Sequence, residues 1–132
     1  MTKKKESDSR ERALLCLNAC LEKKAKGLTL LKVKEISAFT DYFIICSGST
    51  DRQVRAIAAA VQEHLKKRNI LPLGIEGEAA GSWLLLDYDD VIIHIFLEAV
   101  RGFYDLERLW AEAPQMIVPD ETVSLKTLDK GM

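Results

Sequence analysis

The run Tyr42-Phe43-Ile44-Ile45-Cys46 leaves this chain least freedom. An apolar stretch of strand length without polar alternation has to be covered on both faces, so it predicts a central strand. Ser47-Gly48-Ser49 then turns the chain, and Thr50 with Gln53 has the spacing of a capping box. Val54, Ile57, Ala58, Val61 and Leu65 follow at helical period, and the helix closes on Lys66, Lys67, Arg68 and Asn69. Cations there offset the negative helix end, and Asn tolerates a left-handed cap. A buried strand feeding an amphipathic helix is the kernel of a layered domain.

The remaining elements build on that kernel. Asp8 and Glu11 read as a capping box, with Ala13, Leu14, Leu17, Cys20 and Leu21 on one helical face before Gly27. Leu28 to Val33 predicts a strand, and 34–41 a polar link. Pro72 precedes a short segment over 73–77 and a small-residue loop over 78–82. Trp83-Leu84-Leu85-Leu86-Asp87-Tyr88 and Val91-Ile92-Ile93-His94-Ile95-Phe96, joined by Asp89 and Asp90, predict a hairpin. A last helix over 99–111 carries Phe103, Leu106, Leu109 and Trp110 as a stripe and stops before Pro114. The expected order is α-β-β-α-β-β-β-α: an α/β (α+β) fold with one mixed sheet of about five strands and helices packed on it. Residues 1–8 are expected to be a flexible basic and polar tail, 9–113 a single domain, and 114–132 an extended tail.

Composition narrows the function. The 132 residues are 48% hydrophobic and 30% charged, the balance of a soluble domain with a substantial core. Lys and Arg number 19 against 20 Asp and Glu, a formal charge of −1, which excludes the uniformly basic surface of a protein living on phosphate backbones. Cys16, Cys20 and Cys46 form no disulfide framework and no signal peptide is legible, so a cytoplasmic location is expected. No apolar segment reaches the roughly 20 residues of a membrane span.

Signs of catalysis are thin. The strand-turn-helix at Gly48-Ser49 could offer backbone N–H groups to a phosphate, but capping alone explains it, and the paired carboxylates that would hold a metal for nucleotide transfer are absent. Asp87, Asp89 and Asp90 sit at a hairpin tip, where Asp is a turn former, so no metal site is predicted. Cys16 and Cys20 share a helix face that small apolar packing accounts for. His94, between Ile93 and Ile95, reads as a hydrogen-bonded core or sheet-face histidine, and His64 as solvated. No catalytic residue and no cofactor is expected.

Trp83 is more informative. Alternation puts Trp83, Leu85 and Asp87 on one face and Leu84, Leu86 and Tyr88 on the other, so an aromatic shares its face with a carboxylate. Glu76, Glu78, Asp87, Asp89 and Asp90 can gather around it as an acidic rim, which suits a basic protein partner.

The order of several strings is specific. Thr40-Asp41-Tyr42-Phe43-Ile44-Ile45-Cys46-Ser47-Gly48 is followed by Arg52-Gln53-Val54, Ala56-Ile57-Ala58 and Pro72-Leu73-Gly74-Ile75-Glu76-Gly77. Then come the two hairpin strands and Phe103-Tyr104-Asp105-Leu106-Glu107-Arg108-Leu109-Trp110. Together they resemble the ribosomal silencing factor family, RsfS or Iojap, from about the first helix to Ala113. The resemblance implies a nucleotidyltransferase-like fold without the transferase carboxylates and a non-enzymatic role. It implies binding to the large ribosomal subunit through ribosomal protein L-fourteen, where a bound body blocks the small subunit and represses translation under nutrient limitation. Carried over by position, Trp83 falls on the partner-facing surface, with Leu84, Asp87 and Tyr88 beside it. Tyr104 and Arg108 flank the stripe of the last helix, in which Phe103, Leu106 and Trp110 are expected to pack down. The family usually has Asp-Tyr-Gly-Asp where this chain has Asp87-Tyr88-Asp89-Asp90, so the turn is expected to differ locally. A nucleotide-binding or nucleotidyltransferase-like enzyme at Gly48-Ser49 is the alternative. Contact of Lys66-Lys67-Arg68 with nearby rRNA and formation of a homodimer are left open, and no membrane association is expected.

Overall fold

The protein is described from a computed structural model, which covers residues 2–77 and 80–119 together with Ser124 and Leu128, side chains from Ser9 onward. Ten elements run in the order α1 (Thr2–Glu22), β1 (Lys26–Lys32), β2 (Tyr42–Gly48), α2 (Asp51–Lys66), β3 (Gly74–Glu76), β4 (Trp83–Asp87), β5 (Val91–Leu97), α3 (Glu98–Tyr104), α4 (Leu106–Leu109) and β6 (Gln115–Ile117). The sheet is mixed and has six strands, in the order β3-β4-β5-β2-β1-β6. The expected order holds up to α3.

β2 is central, as its composition demands: all seven of its residues are buried. It pairs parallel with β5, from Tyr42 opposite Val91 to Gly48 opposite Leu97, and antiparallel with β1. One face of the sheet carries Ile44, Cys46, Leu84, Leu86, Ile93 and Ile95, which form the main core with α1 and α2. The other carries Leu31, Phe43, Ile45 and Phe96, with Leu106 and Ala113 laid over them. The caps of α2 form as expected. Thr50 Oγ1 accepts from Gln53 N–H at 3.1 Å, and Asn69 takes the left-handed conformation at φ 62°.

The structure departs from expectation at both ends of α1, within the last helix and beyond Pro114. α1 begins at Thr2, so Asp8 lies inside the helix, within the stretch expected to be a flexible tail. Lys and Glu propagate a nucleated helix readily, each added residue gaining a hydrogen bond. α1 ends at Glu22, and the left-handed residue that follows it is Lys24, at φ 58°, three positions before Gly27, which is left-handed as well. The last helix is broken: Asp105 has φ 46°, which divides α3 from α4. The sixth strand comes from beyond Pro114, where Gln115 and Ile117 pair with Leu31 and Thr29 of β1.

Candidate interaction surface

The hairpin register builds the site. Trp83 stands opposite Phe96, Leu85 opposite His94, and Asp87 opposite Ile92, so these side chains share the sheet face away from α1 and α2. Glu76 of β3 stands opposite Leu85 and joins the same face. Phe43 and Ile45 extend it onto β2, beside Ile92 and His94. α3 and α4 cover part of this face and leave the β4 row half open: Trp83, Leu85 and Asp87 are half-buried while Leu84 and Leu86 are buried.

Trp83 is held by aromatic neighbours. Its ring stacks on Phe96 at 4.9 Å between centroids and 27° between planes, and Tyr104 leans against it at 4.6 Å. Its indole N–H donates to Nδ1 of His94 at 3.2 Å. His94 in turn meets Phe43 edge-to-face at 5.3 Å, and Phe43 meets Trp110 likewise at 4.9 Å. Burial lowers the His94 pKa to about 4, so the ring is neutral near pH 7. A tryptophan N–H only donates; Nδ1 therefore carries the lone pair and Nε2 the proton. That Nε2–H is buried with no hydrogen-bond partner among the described residues. The histidine is thus sheet-face and hydrogen-bonded, as read from sequence, and it orients the indole.

The other predicted residues divide. Glu76 is exposed on the same face, and Asp87 lies two pleats along β4 from Leu85. Leu84 and Tyr88 point the opposite way, at 2% and 1% exposure, because strand alternation forces them into the core. Neither reaches a surface. Asp90 is buried beside Arg12 Nη1 at 3.7 Å and is no part of a rim. Glu78 lies outside the described residues. Tyr104 is 47% exposed beside Trp83, whereas Arg108 sits on α4 across the Asp105 break, so the two do not share one helix face. Phe103, 85% exposed, projects outward instead of packing down, and Leu109 of the same stripe is 75% exposed; Leu106 is buried and Trp110 half-buried, as expected.

The hairpin tip keeps a glycine-like turn despite its sequence. Asp89 adopts φ 70°, and its N–H donates to the Asp87 carboxylate at 2.8 Å. The Asp side chain one strand-end earlier stabilises the turn that Gly would enter freely.

The enzymatic alternative finds little support in the geometry. The Ser49 N–H is taken by Gln53 Oε1, and the Ser49 hydroxyl donates to the Glu98 carboxylate at 3.4 Å. A phosphate there would face that carboxylate. Gly48 is explained by packing, since a Cβ would meet Val54 at 3.0 Å. No group of three or more metal-ligating side chains occurs among the described residues, and burial raises the Cys16 thiol pKa well above the ordinary range. His64 is partly exposed and also paired: its Nε2 lies 2.7 Å from Glu22 Oε2 and joins α2 to α1.

Known proteins supply the frame for this surface. A family profile described as "Ribosomal silencing factor during starvation" matches residues 6–130, past Ala113, to which the resemblance extends. The ribosomal silencing factor RsfS of Bacillus subtilis is 38% identical over 96 residues, 73% of this chain and 81% of that protein. The chloroplastic protein Iojap of Zea mays is 30% identical over 110 residues, covering 83% of this chain and 48% of its own length. A crystal structure from Chromobacterium violaceum superposes with a TM-score of 0.75 at 33% identity, over 89% of this chain and 96% of that one. With the family profile spanning nearly the whole sequence and a solved relative sharing the sheet, the chain belongs to the ribosomal silencing factor family.

Proposed function

We propose that this chain silences ribosomes without catalysis, acting in the cytoplasm, by seating the Trp83 face on ribosomal protein L-fourteen of the large subunit and sterically blocking the small subunit, so that translation falls when nutrients are scarce. The names of its relatives support the ribosomal part of this reading. The observation that carries the surface is Trp83 itself: rigidly stacked on Phe96 and Tyr104, yet half open on a face that α3 and α4 leave uncovered. An aromatic fixed before binding loses little rotamer freedom in the complex, which is the property of an interface hot spot. Tyr104, Phe103 and Leu109 enlarge the apolar patch. Glu76 and Asp87 lend it negative charge, matched to a basic protein, and exposed Arg108 on α4 joins the interface. An interface of about 1,600 Å² would suffice for a stable steric block. Exposed Lys66, Lys67 and Arg68 provide a secondary contact to rRNA.

Sucrose-gradient sedimentation with dissociated subunits tests the reading. The chain should co-migrate with the large subunit and reduce joined ribosomes, and a folded Trp83→Ala variant should do neither. Unchanged sedimentation of the variant would remove Trp83 from the interface, and a chain that stays at the top of the gradient would sink the ribosomal reading.

A further inference from the structure

None of the residues of α3 is buried, yet α3 carries Tyr104 against Trp83 and Phe96. Apart from half-buried Val100, apolar packing does little to fix this helix on the sheet, and its polar contacts must do more. Exposed Glu98 meets Lys26 Nζ at 3.7 Å and the Ser49 hydroxyl, and the remaining side-chain contacts converge on Arg101. Its Nη1 donates to Ser47 Oγ at 3.1 Å and to the Lys26 carbonyl at 3.3 Å, its Nη2 to Thr29 Oγ1 at 3.3 Å, and its Nε to Glu107 Oε1 at 3.2 Å. One guanidinium thus ties α3 to β1, to β2 and, across the Asp105 break, to α4. Both charged partners of the Arg101–Glu107 pair are largely shielded, with side chains 17% and 25% exposed. β1 is shaped to admit the group: Gly27 sits at φ 57° where the register with β2 shifts, and a Cβ there would come 2.6 Å from Nη1.

We propose that Arg101 is the positioning residue of the Trp83 surface: by clamping α3 to Lys26, Thr29, Ser47 and Glu107 it sets Tyr104 against Trp83 and fixes the direction in which Phe103 projects. The planar fork is needed, because a lysine ammonium cannot reach acceptors on three elements at once. The inference rests on the Trp83 face being the ribosome-binding surface, but it also has a signature independent of ribosomes.

The test combines NMR with binding to purified large subunits, on Arg101→Gln, Arg101→Lys and the milder Glu107→Gln. In each folded variant the ring-to-ring NOEs between Trp83 and Tyr104 should weaken while amide protection in β2 and β5 persists. Binding by Arg101→Gln should fall about tenfold, a loss of the size expected when a hot-spot neighbour is displaced. In a Tyr104→Ala background the same substitution should have little further effect, since a residue acting through another is not additive with it. Intact NOEs with unchanged binding in Arg101→Gln would overturn the proposal, as would an equal loss in the wild-type and Tyr104→Ala backgrounds. If Trp83→Ala itself leaves binding intact, the proposed function fails, and the NOEs alone then decide the role of Arg101. Should Arg101→Gln not fold, Glu107→Gln carries the same comparison, because it takes the charge from one partner, weakening that bond, and leaves the three to the sheet.

Discussion

Trp83 and His94 are joined across the β4–β5 ladder, two residues off direct register, by an N–H to Nδ1 hydrogen bond of 3.2 Å. Its acceptor exists only while the imidazole is neutral. Protonation would place two N–H groups face to face in a buried site. Burial holds the folded pKa at about 4, below the ordinary 6.5, so the unfolded chain binds this proton more readily. The contribution is therefore complete above pH 6.5, shrinks as the pH drops toward 4, and totals roughly 3 kcal/mol. In denaturant titrations between pH 7 and 4 the wild type should lose roughly 3 kcal/mol relative to His94→Phe; parallel curves would refute the coupling.

Leu84→Ala and Trp83→Ala should separate stability from recognition. Leu84 is buried in the main core, so its truncation should cost about 2–5 kcal/mol and leave the ribosome affinity of the remaining folded protein unchanged. Trp83→Ala should lower affinity by about 2 kcal/mol or more. Chemical denaturation read beside gradient sedimentation distinguishes the two.

Asp89→Gly should raise stability by up to about 1 kcal/mol, because a residue at φ 70° is strained for any side chain and free for glycine. The Asp87 carboxylate keeps its bond to the backbone N–H at 89 in the variant, so only the larger unfolded-state entropy of glycine opposes the gain. A lower midpoint in urea would show that the Asp89 side chain has a role of its own.

Cys16, Cys20 and Cys46 are fully buried, and burial raises the Cys16 thiol pKa well beyond the physiological range. Ellman's reagent should therefore find almost no reactive thiol in the native chain and all three in guanidinium. Fast native labelling would mean that α1 opens readily.

Much of the fold was legible because its signals are local. The apolar run of β2, the Thr50 and Gln53 cap, the Asn69 cap and the β4 alternation all belong to short windows, and each recurs in the structure. Where the reading failed, the determinant was distant. The stripe Phe103, Leu106, Leu109, Trp110 has helical period, yet Asp105 turns left-handed and sends Phe103 and Leu109 outward. β6 has three residues and no pattern of its own; it is a strand because β1 has a free edge. At the site, alternation correctly put Leu84 and Tyr88 opposite Trp83, and only positional carry-over moved them to the surface. The aromatic neighbours Phe43, Phe96 and Trp110 were visible as residues but not as a cluster, since that required the β2–β5 pairing. Projecting the hairpin register onto β5 would have found Phe96 and His94.

The place of β5 between β2 and β4 also sets the order in which this protein can be made. α1, β1, β2 and α2 leave the ribosome before β5, and until Val91–Leu97 arrives the β2 edge from Tyr42 to Gly48 is an unpaired, largely apolar template. Such an edge invites pairing with other chains. A nascent chain stalled before Leu97 is thus not a smaller version of the domain but an aggregation-prone half, and the factor becomes a safe species only after its sequence-distant central pair has closed.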